Sequence, residues 1–420
     1  MREERSGRHP GQLSRACGAS CARAVAILFF ASLLSACSFI QRDEFTSRQQ
    51  AAASVPGIRD ARAWVDGTDV ELRAFLKGSL FTSSASSRLD VLAISGGAYD
   101  GAYGAGIVSG WTATGTRPQF SVVTGVSAGS LIAPFAFLGP KWDNELAKAF
   151  TSTDTEIVGD ALKVLGLLGP IDLRHDSLVR LVDGFVTPQL LAAVAAEHAR
   201  GRRLLVLTTN LDAQRGVIWD MGAIAASRQP NARELFRDVL VASSSVPGVF
   251  GPTYIEAEAG DHRFREMHAD GGVTTQVFIL PDVVLARAGR DTAADRPPVR
   301  VWVIMNNSVT PQFEVVEAGL LTTSARSMST LIKADAKKTL YMTADFVGRD
   351  RFNLTYIDNG FYNFLAANPS LTPGFNQRYM QALFRYGYGK ARASHPWTND
   401  VPLPGAASGL RLRAAAGAQH

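Results

Sequence analysis

Between residues 89 and 137, short apolar runs alternate with stretches that can form helices. Leu89 to Ile94 predicts a first strand and Gly101 to Thr114 a helix; Phe120 to Thr124 predicts a second strand before a buried helix, Ser130 to Phe137. This order is typical of a mostly parallel central sheet with helices on both faces. We therefore predict a three-layer α/β/α fold. In such sheets, active sites lie at the carboxyl ends of the strands.

The same alternation extends toward the carboxyl terminus. It predicts further strands at Arg203 to Thr209, Gly216 to Asp220, Tyr254 to Ala257, Arg263 to His268 and Val299 to Met305. It predicts helices at Trp64 to Leu76, Trp142 to Leu168, Arg174 to Phe185, Pro188 to Ala199, Ala232 to Ser245 and Thr323 to Tyr341. Bounds predicted in this way depend on hydrophobic periodicity and on glycine and proline punctuation.

The pentapeptide Gly125-Val126-Ser127-Ala128-Gly129 directly follows the second predicted strand. A serine in this Gly-x-Ser-x-Gly pattern, on a sharp turn from strand to helix, holds its hydroxyl at the carboxyl edge of the sheet. Gly125 and Gly129 leave room where side chains would collide. The amide of Ala128 would begin the next helix, where free N–H groups favour an anion. The pattern indicates a nucleophile; the alternative is an ordinary strand–turn–helix crossover.

Glycines also follow the first predicted strand, in the loop Ser95 to Gly101. Exposed amides in such a loop can form an anion-binding nest. A dinucleotide site is the alternative, but the Gly-x-Gly-x-x-Gly register does not follow the strand directly and no acid is clearly placed to hold a ribose. Farther along, Asp270 precedes Gly271 and Gly272, and such a pattern on its own is most often a turn.

Together these motifs resemble those of the patatin-like phospholipase family. Gly125 to Gly129 matches the nucleophile motif, Ser95 to Gly101 the oxyanion loop, and Asp270 to Gly272 the Asp-Gly-Gly motif. Ala242 to Phe250 resembles the family segment Ala-Ser-x-x-x-Pro-x-x-Phe. The four motifs occur in the family's order, and the resemblance spans Leu89 to Val277.

The resemblance implies an acyl hydrolase that cleaves carboxyl esters of lipids or phospholipids without a cofactor. Asp270 would accept the proton of Ser127, and the serinate would attack the ester. Backbone amides would hold the oxyanion and glycines would support the motifs; the residues are Gly96, Gly97 and Ala128 for the oxyanion and Gly125, Gly129, Gly271 and Gly272 for support. We also predict a patatin-like catalytic core at 89–290, a C-terminal strand and helices that complete the domain at 291–395, and a tail at 396–420.

The chain departs from the family pattern at one point. The family loop usually reads Gly-Gly-Gly-x-Arg/Lys-Gly. This loop has Ala98 where the family has its third glycine, and Asp100 where the family has the basic residue. The lost charge puts the substrate class in doubt more than the hydrolytic mechanism, because backbone amides do not depend on that side chain. Two other functions stay open: a catalytically inactive envelope lipid-binding lipoprotein, and acyl transfer to an acceptor other than water.

A Ser–Asp–His triad is the competing mechanism, since α/β-hydrolases carry the order Ser, Asp, His. Only His395 and His420 follow Asp270, both near the tail. His268 would share a face with Asp270 on a regular strand and could tune it, but a core or surface histidine is favoured. No His/Cys/Asp cluster has zinc-like spacing, so we predict no metal.

The amino terminus has the pattern of an export signal. Residues 1–24 are basic and polar, and the apolar run that follows is too short to span a bilayer. Leu34-Ser35-Ala36-Cys37 resembles a bacterial lipoprotein box, which implies lipidation of Cys37, a signal peptide at 1–37 and a tether and lead-in at 38–88. The resemblance, with Ser38 after the cysteine, implies the outer membrane of a Gram-negative bacterium. An ordinary secretory signal is the alternative.

Composition narrows the partners. The chain of 420 residues is 46% hydrophobic and 19% charged, as globular proteins are. Its net charge of +5 is partly that of the signal, and no basic stripe is interleaved with aromatics, so we predict no nucleic-acid partner; protein partners stay unknown.

The lysines Lys333, Lys337 and Lys338 could touch lipid headgroups, although a solvated helix face is favoured. Leu165 to Phe185 could form a lid or acyl pocket, although packing on the sheet is favoured.

Overall fold

A nine-stranded mixed sheet organises the chain. The computed structural model describes residues 42–58, 60–76, 89–152, 158, 171–279, 299–313 and 315–402. The strands are β1 Arg62–Trp64, β2 Leu89–Ile94, β3 Val122–Val126, β4 Arg203–Asn210, β5 Arg215–Asp220, β6 Thr253–Ala259, β7 His262–Asp270, β8 Val299–Met305 and β9 Phe352–Tyr356. The chain divides into two units, Met1–Glu44 and Phe45–His420, and the second contains all nine strands.

The centre of the sheet is parallel. Its order is β1-β5-β4-β3-β2-β8-β9, and the five neighbours from β4 to β9 in this order pair in parallel. The remaining strands pair antiparallel: β5 with β4 and β1, and the β6–β7 hairpin through β7 with β4. The mostly parallel sheet confirms the predicted α/β class. Its parallel centre brings the carboxyl ends of β2, β3, β4 and β8 to one edge.

Twelve helices are described around this sheet. They are α1 Ser47–Ala51, α2 Asp69–Leu76, α3 Gly101–Ala113, α4 Ala128–Leu138, α5 Asp143–Thr151, α6 Ile171–Asp183, α7 Pro188–Ala199, α8 Met221–Ala226, α9 Ala232–Ser243, α10 Leu320–Val347, α11 Asn359–Ala367 and α12 Gln377–Ala391. Among these residues no single helix is long and apolar enough to cross a membrane; α6 and α7 together reach that length and composition but are bent by 66°.

Two hydrophobic cores, one on each face of the sheet, follow from the alternation of side chains along the strands. In β2, Leu92 and Ile94 join the core that also contains residues of α3, α4, α9 and α12. Leu89, Val91 and Ala93 join the opposite core, which contains residues of α2 and α10. Both faces of the central strands are therefore buried, which explains why these strands read as continuous apolar runs.

The sequence predictions located most elements within a few residues. Some differences have a physical reason: Trp64 ends strand β1 instead of starting a helix, because β1 pairs with β5. The predicted helix Trp142 to Leu168 is described only as α5, and most of the remainder lies outside the described residues. Strand β9 and helices α8, α11 and α12 were not individually predicted. The predicted signal peptide, with Cys37, lies outside the described residues.

Helices α3 and α12 pack closely along a line of glycines. A Cβ atom on Gly106 would lie 2.1 Å from the carbonyl oxygen of Phe384, and one on Gly387 would lie 2.4 Å from that of Tyr103. Real Cβ atoms do not approach backbone this closely, so only glycine permits the contact. Helix α12 is thereby fixed against the helix that follows the glycine-rich loop.

Candidate active site

Ser127 occupies a strained turn between β3 and α4. Its backbone has φ 53° and ψ −129°, a left-handed conformation that non-glycine residues rarely adopt. The flanking glycines are required by space: a Cβ on Gly125 would lie 2.5 Å from the Gly129 carbonyl oxygen, and a Cβ on Gly129 would lie 2.2 Å from that of Ile94. The geometry is that of a nucleophile turn at the carboxyl edge of the sheet, with Ser127 only 5% exposed.

Ser243, at the end of α9, supports this turn. Its hydroxyl accepts a hydrogen bond from the Ser127 amide (3.0 Å) and donates one to the carbonyl of Leu207 on β4 (2.7 Å). The hydroxyl is buried and joins the turn to β4 through these two hydrogen bonds. The amide of Ser127 is therefore committed to holding the turn and is not free to bind a ligand.

Asp270 ends β7 beside the same turn. Its amide donates to the Ser245 carbonyl (3.0 Å), and its carboxylate Oδ1 accepts from the Gly272 amide (2.7 Å). Burial raises the pKa of Asp270 to about 7, while hydrogen bonding by the Ser127 hydroxyl and the Gly272 amide opposes that rise. The second oxygen, Oδ2, is buried and has no partner of regular geometry among the described residues. The Asp270 carboxylate thus has a pKa near neutrality and hydrogen-bonds with the Ser127 hydroxyl, as a proton acceptor for that hydroxyl would require.

The glycine-rich loop lies at the end of β2, next to the same turn. The Gly96 amide already donates to the Gln276 carbonyl (3.1 Å). The predicted oxyanion role of Gly96 is therefore wrong for this structure, because its hydrogen is not available. The amides of Gly97 and Ala128, in contrast, donate to no acceptor among the described residues, and the Ala98 amide is likewise uncommitted. Ala98 has φ 50°, a conformation that favours glycine.

Two asparagines after β8 hold this loop in place. Asn306 donates through Nδ2 to the Ser95 carbonyl (2.7 Å) and accepts through Oδ1 from the Gly104 amide (2.9 Å). The Asn306 amide itself donates to the Ser95 hydroxyl (2.8 Å), and Asn307 donates to the Gly96 carbonyl (3.2 Å). These residues were missed from sequence. The signal that could have found them is their position, immediately after a predicted parallel strand.

Gln276 is a second residue that sequence reasoning missed. A Cβ on Gly96 would lie 2.9 Å from the Gln276 side-chain nitrogen and 3.0 Å from the Ser127 Cβ. A Cβ on Gly272 would lie 2.9 Å from the Gln276 side-chain oxygen and 3.0 Å from Asp270 Oδ1. The side-chain amide of Gln276 therefore lies beside both the glycine-rich loop and the Asp-Gly-Gly turn.

Comparison with known proteins agrees with this arrangement. Residues 92–282 match the family model described as patatin-like phospholipase. Residues 92–282 are thus similar to a patatin-like phospholipase domain. A search of the curated proteins found no match. One similar solved structure is the crystal structure of VipD from Legionella pneumophila, with 12% sequence identity and a TM-score of 0.33; the match covers 72% of this chain and 66% of the VipD chain.

Asp100 gives the patatin-like domain an acid at the end of its glycine-rich loop. The Tyr379 hydroxyl, on α12, donates to Asp100 Oδ1 (2.6 Å), and Tyr99 packs edge-on against Tyr379 and Phe375. Burial raises the pKa of Asp100 to about 7, and the hydrogen bond from Tyr379 opposes that rise. The acid is therefore built into the structure by an aromatic cluster rather than exposed on a surface loop.

His268 is a core residue of the domain. Its Nδ1 lies 3.0 Å from the Thr208 hydroxyl and its Nε2 lies 3.2 Å from Glu266 Oε2, which also pairs with Arg62. Burial would raise the pKa of Glu266, but hydrogen bonds from His268 and Arg62 hold it at about 2. Burial lowers the pKa of His268. The interactions that set the pKa of Asp270 include no histidine, so a triad gains no support from the described residues.

The remaining predicted features are described in part. Phe185 packs against Phe135 of α4, with ring centroids 5.5 Å apart, as expected for helices that pack on the sheet. Leu165 and its neighbours lie outside the described residues. Within the described part of the chain, no three His, Cys, Asp or Glu side chains are grouped to hold a metal ion. The absence of a metal from catalysis stays a prediction.

Proposed function

We propose that the chain is a serine hydrolase of lipid carboxyl esters, with Ser127 as nucleophile and Asp270 as general base. The observation that carries this proposal is the placement of a strained, buried serine beside an aspartate whose pKa burial raises to about 7. A base with a pKa near the working pH is the most effective proton acceptor. The patatin-like domain supports lipids as the substrate class.

In the first step, the Ser127 hydroxyl attacks the ester carbonyl carbon and its proton passes to Asp270. The carbonyl π electrons move to the oxygen, which becomes the oxyanion of a tetrahedral intermediate. When this intermediate collapses, the C–O bond to the alcohol breaks and Asp270 returns the proton to the leaving oxygen. Water then attacks the acyl-serine in the same way, again with Asp270 as base, and releases the acid.

The oxyanion is bound by uncommitted backbone amides. Gly97 and Ala128 keep the roles predicted for them, and Ala98 supplies a third donor in place of Gly96. Ala128 adds the N-terminal end of α4, where helix amides and the helix dipole favour negative charge. Each such donor lowers the activation barrier by about 3 kcal/mol in serine hydrolases. Gly96 supports the loop through its hydrogen bond to Gln276 instead.

A fluorophosphonate probe, which labels activated serines, tests the proposal. We expect the full chain to be labelled, Ser127→Ala to be unlabelled, and Asp270→Asn to be labelled far more slowly. Ser327→Ala, which changes an exposed serine of α10, is the matched control and should label as the parent does. Hydrolysis of liposomal phospholipid and of a short-chain ester should follow the same order. A parent chain that neither labels nor hydrolyses in detergent or on liposomes would contradict the proposal.

We also propose that Cys37 is lipidated and anchors the domain to the outer membrane, with the lipoprotein-box resemblance as support. Metabolic labelling with radioactive palmitate, in a Gram-negative host, should mark the parent chain and spare Cys37→Ser. Cys21→Ser is the control and should stay labelled, because Cys21 precedes the predicted cleavage point. Equal labelling of the parent and Cys37→Ser, or labelling of neither, would contradict the anchor without bearing on the hydrolase.

A further inference from the structure

A basic cavity lies between α10 and the segment that follows β8. It is open to solvent and has a volume of about 270 Å³. Lysine and arginine side chains of α10 form one wall and the segment Val309 to Gln312 forms the other; the lining includes Arg326, Lys333, Lys337, Val309, Pro311 and Gln312. Lys333 and Lys337 are four residues apart on the helix and therefore lie on the same face.

The two lysines carry charge that no described carboxylate neutralises. Lys333 Nζ contacts the Thr310 carbonyl at 3.4 Å, and neither Lys333 nor Lys337 forms an ion pair within the described parts of the chain. Arg326, which donates to the Gln312 carbonyl (2.5 Å), adds a third positive group. Burial and the nearby Arg326 lower the pKa of Lys333, as expected where cations are held together. Such a cluster attracts an anion.

The same lysines reach the candidate active site. A second, much smaller pocket, of about 30 Å³, is lined by Lys333 and Lys337 of α10 and by Gln276 and Asn307. The backbone carbonyl of Gln276 accepts a hydrogen bond from the Gly96 amide, and the Asn307 side chain donates one to the Gly96 carbonyl. Gln276 and Asn307 therefore line a pocket with the two lysines and also hydrogen-bond to the glycine-rich loop. This proximity distinguishes Lys333 and Lys337 from Lys338, which is exposed and lines neither cavity.

We propose that Lys333 and Lys337 bind the phosphate of the lipid substrate's headgroup while the ester lies at Ser127. The loop itself offers an anion poor side-chain chemistry, because its terminal side chain is the acid Asp100. Lys333 and Lys337 supply the opposite charge, next to Gln276 and Asn307, which hydrogen-bond to this loop. Ammonium–phosphate hydrogen bonds are charge-assisted and bring specificity as well as affinity. The inference rests on the proposed hydrolase activity and adds a site that selects phosphate-bearing esters.

The test compares two lipids with the same acyl chains, phosphatidylglycerol and diacylglycerol, in micelles of an uncharged detergent. The variant Lys333→Gln/Lys337→Gln should lose about 150-fold in kcat/KM on phosphatidylglycerol, as expected for two charged hydrogen bonds. It should stay within about twofold of the parent on diacylglycerol. Lys338→Gln should match the parent on both lipids. Equal losses on the two lipids, or none on either, would overturn the proposal.

A binding arm separates this proposal from the proposed reaction. Ser127→Ala protein is titrated with dihexanoyl phosphatidylglycerol by calorimetry, with and without the two lysine substitutions, so that no turnover is needed. Weaker binding only in the lysine variant supports the headgroup site even if the parent chain hydrolyses nothing. Unchanged binding counts against it even if hydrolysis is confirmed. Inorganic phosphate is titrated alongside. If phosphate binds at millimolar concentration and the lipid does not bind, the lysines form a site for free anions and the proposal is overturned.

Discussion

The two sides of the candidate active site are built from different parts of the chain. One side, called the elbow side here, consists of the Ser127 turn and Asp270. They are held by Ser243 and Ser245, and all four residues lie within the match to the patatin-like family. On the loop side, the residues around Gly96 are held by Asn306 and its neighbours, which follow β8 and lie beyond that match. The candidate reacting groups are thus held from within the match, whereas the glycine-rich loop is held both from within it, by the Gln276 carbonyl, and from beyond it, by Asn306 and Asn307.

The supports also differ in kind. The elbow side is fixed by backbone close-packing, with a Cβ on Gly125 or Gly271 placed within 2.5 Å of a carbonyl oxygen. The loop side is fixed by the side-chain amides of Asn306 and Asn307 and by the Tyr379 hydroxyl. We therefore expect changes on the elbow side to abolish the reaction, and changes on the loop side to reduce it by degrees while costing stability.

Asp270→Asn tests the elbow side and should have the largest effect. The side-chain oxygen of the new asparagine can still accept the hydrogen bond from the Gly272 backbone amide, so the fold is kept. The asparagine side chain cannot take the Ser127 proton. We expect kcat on a short-chain ester to fall about 10³-fold, with an unchanged or higher melting temperature because a buried ionisable group is removed. A variant with more than a tenth of the parent's kcat would show that another group is the base.

Gly97→Ala tests the loop side by steric means. The new Cβ would lie 2.4 Å from the Asn306 carbonyl oxygen and 2.5 Å from its Cβ, so the loop must shift. A displaced oxyanion donor should reduce kcat about 100-fold. Gly389→Ala is the control: nothing lies within 4 Å of its Cβ position in α12, and it should raise stability slightly without changing kcat. Full activity in Gly97→Ala would separate Gly97 from oxyanion binding.

Asn306→Ala tests the loop's support from beyond the family match. The Ser95 carbonyl and the Gly104 amide would lose their partner in a buried site, which should cost about 3 kcal/mol of unfolding free energy. We expect kcat to fall about tenfold, because the loop loosens without losing its own amides. Asn307→Ala removes only one partly buried hydrogen bond and should cost about 1 kcal/mol. Urea denaturation and ester kinetics on both variants give the comparison; equal costs would contradict it.

The smallest effect concerns pH, because both sides contain an aspartate whose pKa lies near 7. Activity should rise with pH through about 7 as Asp270 loses its proton. Asp100 should not change this midpoint but should change stability. Its folded pKa lies above the usual value of 3.8, so the folded state holds a proton that the unfolded state releases between about pH 4 and 7.

Stability should therefore fall as pH rises through that window and level off above it. Asp100→Asn should weaken this decline, while the part due to Asp270 persists. Melting temperatures at pH 5 and pH 8 check this, with Asp66→Asn, an exposed aspartate, as the control. A decline that is identical in Asp100→Asn and the parent would contradict the raised pKa of Asp100.

The sequence predicted the elbow side more fully than the loop side, for a physical reason. Ser127 and its glycines form a local motif whose conformation follows from a strand and a helix next to it in the chain. The availability of the Gly96 amide instead depends on a carbonyl 180 residues away, at Gln276. Likewise, only the strand order places Asn306 beside Ser95. Local pattern can identify a loop as anion-binding, but the choice of donor within it is decided by tertiary contacts.

The left-handed backbone of Ser127 has a consequence for the whole molecule. Residues other than glycine pay about 1–3 kcal/mol in such a conformation, out of a total stability of about 5–15 kcal/mol for a typical domain. Replacing Ser127 by glycine should therefore yield a chain that melts at a higher temperature yet carries no nucleophile, provided that the turn stays in place. If Ser127 is the nucleophile proposed above, the protein gives up this part of its thermal stability in order to hold a hydroxyl group at the turn.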